Sequence, residues 1–469
     1  ILLSLCFPVM GQQSHTLYFL HNVPQSNLLN PAVQNECKLF IGLPLISSLH
    51  INLANSGFTY NQLLEHKAPG EYSLDASTLY DKLGKKNYLS AELDACLFSF
   101  GIKIKTKYYF TFNIRERNDM NLYYTKDLFS LVYKGNTQYE GKLLSLKGNG
   151  MQFNHFREFS LGASKVVDDI STYGIRVKLL YGKLNFKTAR DNVSLFTEEN
   201  TFDLFFENDI RFDASLPASL INEKGNIIRA DPDYYYTSVN DLIFNRKNYG
   251  FAFDAGFIHK YDEKITIHGS ILDLGFIVYR SNLTNYSIEG SYLYTGPLGD
   301  DNISESYIQN LIDDVNEATE VNISRNPYFY FMSPRMYFGV SNQFMKKLSV
   351  NALVSSRIMK QKLQSGLTLS ANWRPHTQFA TAVSWSYFHR SINNFGAGMV
   401  LGRNPVQFYI VSDNVVGLIW PQSTKNINLR FGLNIITGCR SKSVLDQFGC
   451  YWLKKAEERN ERKKRLMHK

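Results

Sequence analysis

From Met336 to Ile435 the chain is a ladder of short segments in which large apolar residues alternate with small or polar ones. Leu363, Ser365, Leu367, Leu369, Ala371 and Trp373 share one parity, against Gln364, Gly366, Thr368, Ser370 and Asn372. Phe379, Thr381, Val383, Trp385 and Tyr387 repeat it, and so do Ile427, Leu429, Phe431, Leu433 and Ile435 against Asn426, Asn428, Arg430, Gly432 and Asn434. A period of two is that of a strand with two unlike faces. Segments of about ten residues suit a tilted strand crossing a bilayer. Tight turns fall at Lys346, Pro375 and Asn404, at 29-residue intervals. Longer connections lie between them, at Ser356–Lys362, Phe388–Asn393 and Ser412–Lys425. Tight turns on one rim and loops on the other predict an all-β fold: a transmembrane, antiparallel, up-and-down β-barrel with its tight turns in the periplasm.

The same alternation recurs upstream. Ser90 to Arg117 reads as a hairpin, with Tyr108, Phe110, Phe112 and Ile114 opposing Tyr109, Thr111, Asn113 and Arg115. Asn118 to Gln152 reads as an outer loop. Asn154–Val166 and Tyr173–Lys187 pair about Asp168 and Asp169, and Asn192–Phe212 forms a weaker pair turning at Glu198 to Asn200. Ser215–Lys247 is a long connection. Tyr249–Phe257 and Ile265–Val278 flank a turn at Asp262–Lys264. The parity flips near Leu272 and Gly275, which predicts a β-bulge. Arg280–Ser333 is the longest interruption and carries an acidic helix. The count is about sixteen strands, with fourteen equally consistent; an even number keeps both ends periplasmic.

The division is a signal-peptide remnant over 1–11, a plug over 12–38, the barrel over 39–437 and a basic periplasmic tail over 438–469. Leu17, Tyr18, Phe19, Leu20, Val23, Leu28 and Leu29 are too apolar for a disordered lead and call for burial in the barrel mouth.

Composition changes this picture little. The chain of 469 residues is 44% hydrophobic with 33 Phe and 29 Tyr, which suits aromatic girdles. The net charge of +9 is concentrated in the tail, where Trp452, Lys454, Lys455, Arg459, Arg462, Lys463, Lys464 and Arg465 form a candidate periplasmic docking segment. This tail does not argue for nucleic acid; lipid, a protein partner or plain solvation all fit it. Of five cysteines, Cys439 and Cys450 either form a disulfide or stay free thiols; Cys37 and Cys96 have no evident partner.

Catalytic and metal-binding signatures such as HExxH, GxSxG or a P-loop are not found, so no enzyme activity and no cofactor are expected. His155 has no second ligand nearby; His259 and His268 flank one turn and could face each other, and all three read as interfacial or lumenal polar residues. Asp300, Asp301, Glu305, Asp313, Asp314, Glu317 and Glu320 lack EF-hand spacing and read as a solvated helix face. Lumen-facing Arg115, Arg176, Lys178 and Arg430 either set an anion preference or close the lumen with salt bridges.

The stretches SHTLYFLHNVPQSNLLNPA, NSGFTYNQLL, YGIRVKLLYGKLNF, SILDLGFIVY and VQFYIVSDNVVGLIWPQSTKNINLRFGLNI resemble an outer-membrane barrel family of Bacteroidota with no assigned function. More distantly the layout is similar to barrels of the long-chain fatty-acid transporter type, fourteen strands with a plug, including accessory barrels of type IX secretion. The resemblance implies the outer membrane as compartment and outer-membrane lipid as neighbour. It implies no site residues. Two roles follow as expectations: an accessory subunit with periplasmic or outer-membrane protein partners, or a transport barrel for small apolar solutes. A surface enzyme working through the long loops ranks behind both. Heat-modifiable migration in gels is the expected behaviour; extraction by high salt without detergent would exclude the barrel.

Overall fold

The computed structural model describes residues 14–62, 64–68, 71–105, 107–201, 203–216, 245–295, 318–359, 362–388 and 391–439. Twenty strand segments form one closed antiparallel sheet, stacked end to end into fourteen strands. Strand β1 has two segments, Leu39–Gly42 and Leu49–Asn55; β2 is Lys86–Ile104, β3 Tyr108–Thr125, β4 Gly150–Val166, which the short segment Leu143–Ser145 precedes in line on the same neighbour, and β5 Ser171–Thr197. Three further strands are interrupted. β6 joins Leu204–Ser215 to Tyr249–Lys260, β7 joins Ile265–Tyr279 to Leu283–Tyr294, and β8 comprises Thr319–Ser324, Tyr328–Phe331 and Arg335–Met345. The remainder are regular: β9 Leu348–Met359, β10 Lys362–His376, β11 Phe379–Phe388, β12 Ser391–Arg403, β13 Val406–Ser412 and β14 Asn426–Thr437. Closure comes from β1 pairing with both β14 and β2, as in Leu39↔Thr437 and Leu39↔Ile102.

The alternation is an inside-out amphiphile. Val350, Val354, Ile358, Leu363, Leu369, Trp373 and Val383 are exposed on the outside. Asn351, Ser355, Arg357, Gln364, Thr368, Ser370 and Ser384 are buried in the lumen. On β3 the outward run Tyr108, Phe110, Phe112, Ile114 ends at Glu116, which binds Arg157 (2.8 Å) and His155 (2.7 Å). That polar cluster interrupts the apolar outer face and gives His155 a carboxylate partner.

Several connections differ from the sequence reading. Of the two strand counts left open, fourteen is the one present, because Tyr173–Lys187 and the residues after Asn192 are one strand of 27 residues. Likewise Leu204–Ser215 and Tyr249–Lys260 lie in line, both paired to β5, so Ser215–Lys247 interrupts a strand rather than linking two. The fifth tight turn falls after His376, not at Pro375. Pro375 sits in a register shift between Trp373 and His376, where a ladder N–H is not needed. The expected loops after β9 and β11 shrink to two residues each, since Met359 pairs with Lys362 and Phe388 is followed by β12 at Ser391. His259 and His268 do not face each other: the register sets His259 opposite Ile267 and Ile258 opposite His268, which puts the two imidazoles on opposite faces. The acidic residues from Asp300 to Glu317, the signal region and the tail lie outside the described residues.

The barrel is lopsided. β2 to β5 have 17 to 27 residues, whereas β13 has 7. At about 3.3 Å per residue and a tilt near 40°, β5 rises on the order of 70 Å, against an apolar belt of about 25 Å. Its upper part therefore stands outside the membrane. There Val193, Leu195, Leu204 and Phe206 are covered by Leu128, Leu131 and Tyr139 from the β3–β4 connection, while Arg190, Asn192 and Asp209 face out.

The disulfide is Cys37–Cys439, not Cys439–Cys450. Cys37 precedes the first strand and Cys439 follows the last, and these strands are neighbours only because the sheet closes. The bond spans 402 residues of sequence and staples the seam at the periplasmic rim. Cys37→Ser is expected to abolish the crosslink and Cys450→Ser to leave it, as read by maleimide labelling of unreduced, unfolded protein. Val177→Arg, on the lipid face of β5, is expected to destabilise by about 2–4 kcal/mol, measured by urea unfolding in lipid vesicles.

Candidate functional site

Residues 14–37 fill the periplasmic half of the lumen. The segment has little regular structure, a four-residue helix α1 at His15–Tyr18 and a 3-10 turn at Pro24–Leu28. Its own turns pair part of the backbone, as Val23 N–H to the Leu20 carbonyl and Val33 N–H to that of Asn30, and other groups need outside partners. The inward polar parity of the wall supplies them. Asp413 accepts from the backbone N–H groups of Ser14, His15 and Thr16, an external cap on α1. Asn372 donates to the Phe19 carbonyl, Gln407 to that of Asn22 and Ser270 to that of Leu29. Gln25 and Asn434 exchange amide hydrogen bonds, and Arg176 donates to the carbonyl and side chain of Asn27. His15 lies between Ser355 Oγ and Thr368 Oγ1, each 2.9 Å away. Leu17, Tyr18, Phe19, Leu20 and Val23 pack on Leu272, Tyr337, Leu353, Val400 and Val411.

Close seating depends on small wall residues. A Cβ at Gly174 would strike the Pro31 backbone, and one at Gly396 would meet Thr16 Oγ1 at 2.6 Å.

Beyond the plug a waist of ion pairs closes the lumen. The predicted bulge sets it up: the register shifts between Phe253 and Ala255, and Asp273 takes φ 60°. Its carboxylate turns inward and accepts from Arg117 (3.1 Å), Lys178 (2.6 Å) and Arg335 (2.9 Å). Its N–H donates to Asp254, which also meets Arg176 (2.9 Å) and Lys178 (2.7 Å). Glu158, fully buried, accepts twofold from Arg115, which also reaches Asp94 at 2.9 Å. Arg357 on β9 pairs with Glu92 on β2. In a ring of fourteen those strands are seven apart, so this pair joins opposite walls.

Of the two readings for Arg115, Arg176, Lys178 and Arg430, the salt-bridged lumen is the one present. Arg430 differs in bonding hydroxyls, Ser48 Oγ at 3.2 Å and Ser14 Oγ at 3.4 Å, beside a cavity of about 10 Å³, room for one water. The partner carboxylates were not singled out from sequence. Asp254 and Glu158 sit in lumenal parity and were findable by it; Asp273 is hidden by the parity slip that aims it. The tail residues Trp452 to Arg465 and Cys450 lie outside the described residues.

An apolar outer belt, a closed strand ring and a polar, plugged interior define a transmembrane β-barrel of outer-membrane type. The chain belongs to the family of unknown function DUF5723, whose model matches residues 31–413. No curated protein matches it. Among solved structures, the Ralstonia pickettii toluene transporter TbuX is 9% identical over 88% of this chain and 94% of its own, with a TM-score of 0.40. A Pseudomonas aeruginosa FadL homologue is 10% identical over 89% and 94%, TM-score 0.36. The translocator domain of the Neisseria meningitidis autotransporter NalP is 7% identical over 90% and 98%, TM-score 0.31. At such values no residue of those barrels is equated with one here.

Asp273→Ala leaves three cations short of an acceptor and is expected to cost about 3–5 kcal/mol, read as a lower denaturant midpoint for the heat-modifiable form. Burial holds the His15 imidazole below its ordinary value, against the pull of Asp413. The released imidazole then binds protons at higher pH than the seated one, so plug stability falls as pH drops through about 6.5 towards the seated value. Limited proteolysis of the plug is expected to accelerate on acidification, and less so in His15→Gln.

Proposed function

We propose that this protein is a non-enzymatic outer-membrane barrel that works with its lumen closed, as an accessory subunit of an envelope or secretion assembly. The observation carrying this reading is the double closure: a plug bonded to the wall nearly all the way round, and a waist where Arg357 and Glu92 meet across the barrel. A pore needs one removable obstruction, whereas here the wall itself contributes the second. The surfaces left for work are the tall outer sheet and the periplasmic rim, from which the basic tail Trp452–Arg465 departs to dock a periplasmic partner. Purified protein in planar bilayers is expected to show no steady conductance, and removal of the plug alone to leave it small. A stable, stoichiometric partner set should follow the chain out of detergent-solubilised membranes. Steady conductance of the intact chain, with no partner, would sink this reading.

A second reading is transport of small apolar solutes. It is favoured by the apolar and aromatic lining on the outer side of the waist, where Phe156, Leu180, Ile277, Tyr279, Tyr328, Tyr330 and Met332 cluster. Uptake of an aromatic hydrocarbon that is lost on deletion of the gene would select it.

A further inference from the structure

The periplasmic rim carries a charge pattern that neither the lumen nor the plug uses. Its tight turns lie between β2 and β3, β4 and β5, β6 and β7, β8 and β9, β10 and β11, and β12 and β13. Lys107, Lys165, Lys264, Lys346 and Lys347 are exposed on four of these turns. No carboxylate among the described residues lies within ion-pair distance of any of the five.

Acidic residues are present on the same rim, but two are spent on the turns themselves. Asp168 accepts from the N–H groups of Ile170 and Ser171, and Asp262 from those of Lys264 and Ile265. Asp169 and Glu263 remain, one on each of two turns; the Lys107 and Lys346–Lys347 turns have none. Exposed aromatics adjoin the lysines: Tyr108, Tyr173, Tyr261, Phe344 and Trp373. Lys165 Nζ stands 5.7 Å from the Tyr108 ring centroid. Such rings settle at the headgroup level of a bilayer, so the neighbouring ammonium groups stand at the level of the lipid phosphates.

We propose that this rim is a collar binding anionic phospholipids of the inner leaflet, each lysine reaching a headgroup phosphate from a rigid turn. The charges are spread over four successive turns, from β2 to β9, instead of clustering at one point, which suits several separate lipids better than one compact partner. Mobile anionic lipids are attracted to basic residues at a membrane surface. The collar is independent of whether the lumen opens, so its failure and the failure of the accessory reading are separable.

The test is lipid retention by the full chain, read by native mass spectrometry after reconstitution in phosphatidylcholine vesicles containing phosphatidylglycerol. The five lysines are changed to Gln in one variant and to Arg in another, with the tail intact in both. Unchanged heat-modifiable migration certifies folding. The wild type and the Arg variant are expected to prefer phosphatidylglycerol by roughly tenfold, and the Gln variant to retain both lipids alike. Equal retention by the wild type overturns the proposal. Preference surviving in the Gln variant also overturns it, by assigning the lipid to other residues. Lysine-dependent binding of a soluble polyanion without lipid preference overturns it too, pointing to a periplasmic partner.

Discussion

Everything in this barrel follows from one constraint: the outside faces lipid, so the charge must be accommodated inside. A closed sheet with alternating side chains gives each strand one face for each environment. Here the lumenal face holds arginines, lysines and carboxylates that are almost fully buried. Buried charges of that kind persist only when paired and hydrogen-bonded. The pairing determines the interior. Asp273 gathers three cations from β3, β5 and β8, and Glu158 holds Arg115 in a two-point grip. Removing one partner leaves the others uncompensated, which makes the waist a cooperative unit and not a sum of pairs.

The plug is the same constraint met from the other side. An irregular chain inside a barrel carries unpaired backbone groups, and the wall offers amides, hydroxyls and Asp413 to bind them. The apolar residues of the plug then find the few apolar inward positions, Leu272, Leu353, Val400 and Val411. Plug and wall are matched polar to polar and apolar to apolar, so neither is fully satisfied alone. The disulfide at the seam holds the base of the plug and the end of the last strand to one point of the rim. A movement of the plug therefore pivots at that point.

Much of the architecture was readable from the chain. Period-two alternation identified strands and their two faces, and tight turns at one rim gave direction, because both are local consequences of backbone geometry. The apolar lead before Leu39 required a buried place, which the lumen provides. The strand number was less legible. A strand of 27 residues that emerges into solvent changes its outer face from apolar to polar midway, as in β5, and so looks like two strands. An excursion inside a strand, as in β6, looks like a loop between two.

By itself the sequence determined, over most of the ladder, which residues face lipid and which face the lumen, and it located most of the tight turns on one rim. Side-chain polarity and local turn chemistry settle those things within a few residues. Only the tertiary structure decided that the ring closes at fourteen, that Cys37 meets Cys439, and that Arg357 reaches Glu92 across the lumen. Each depends on bringing together residues hundreds of positions apart. The parity slip at Leu272 was visible as an irregularity. That it points a carboxylate at three cations became visible only when the other strands were in place around it.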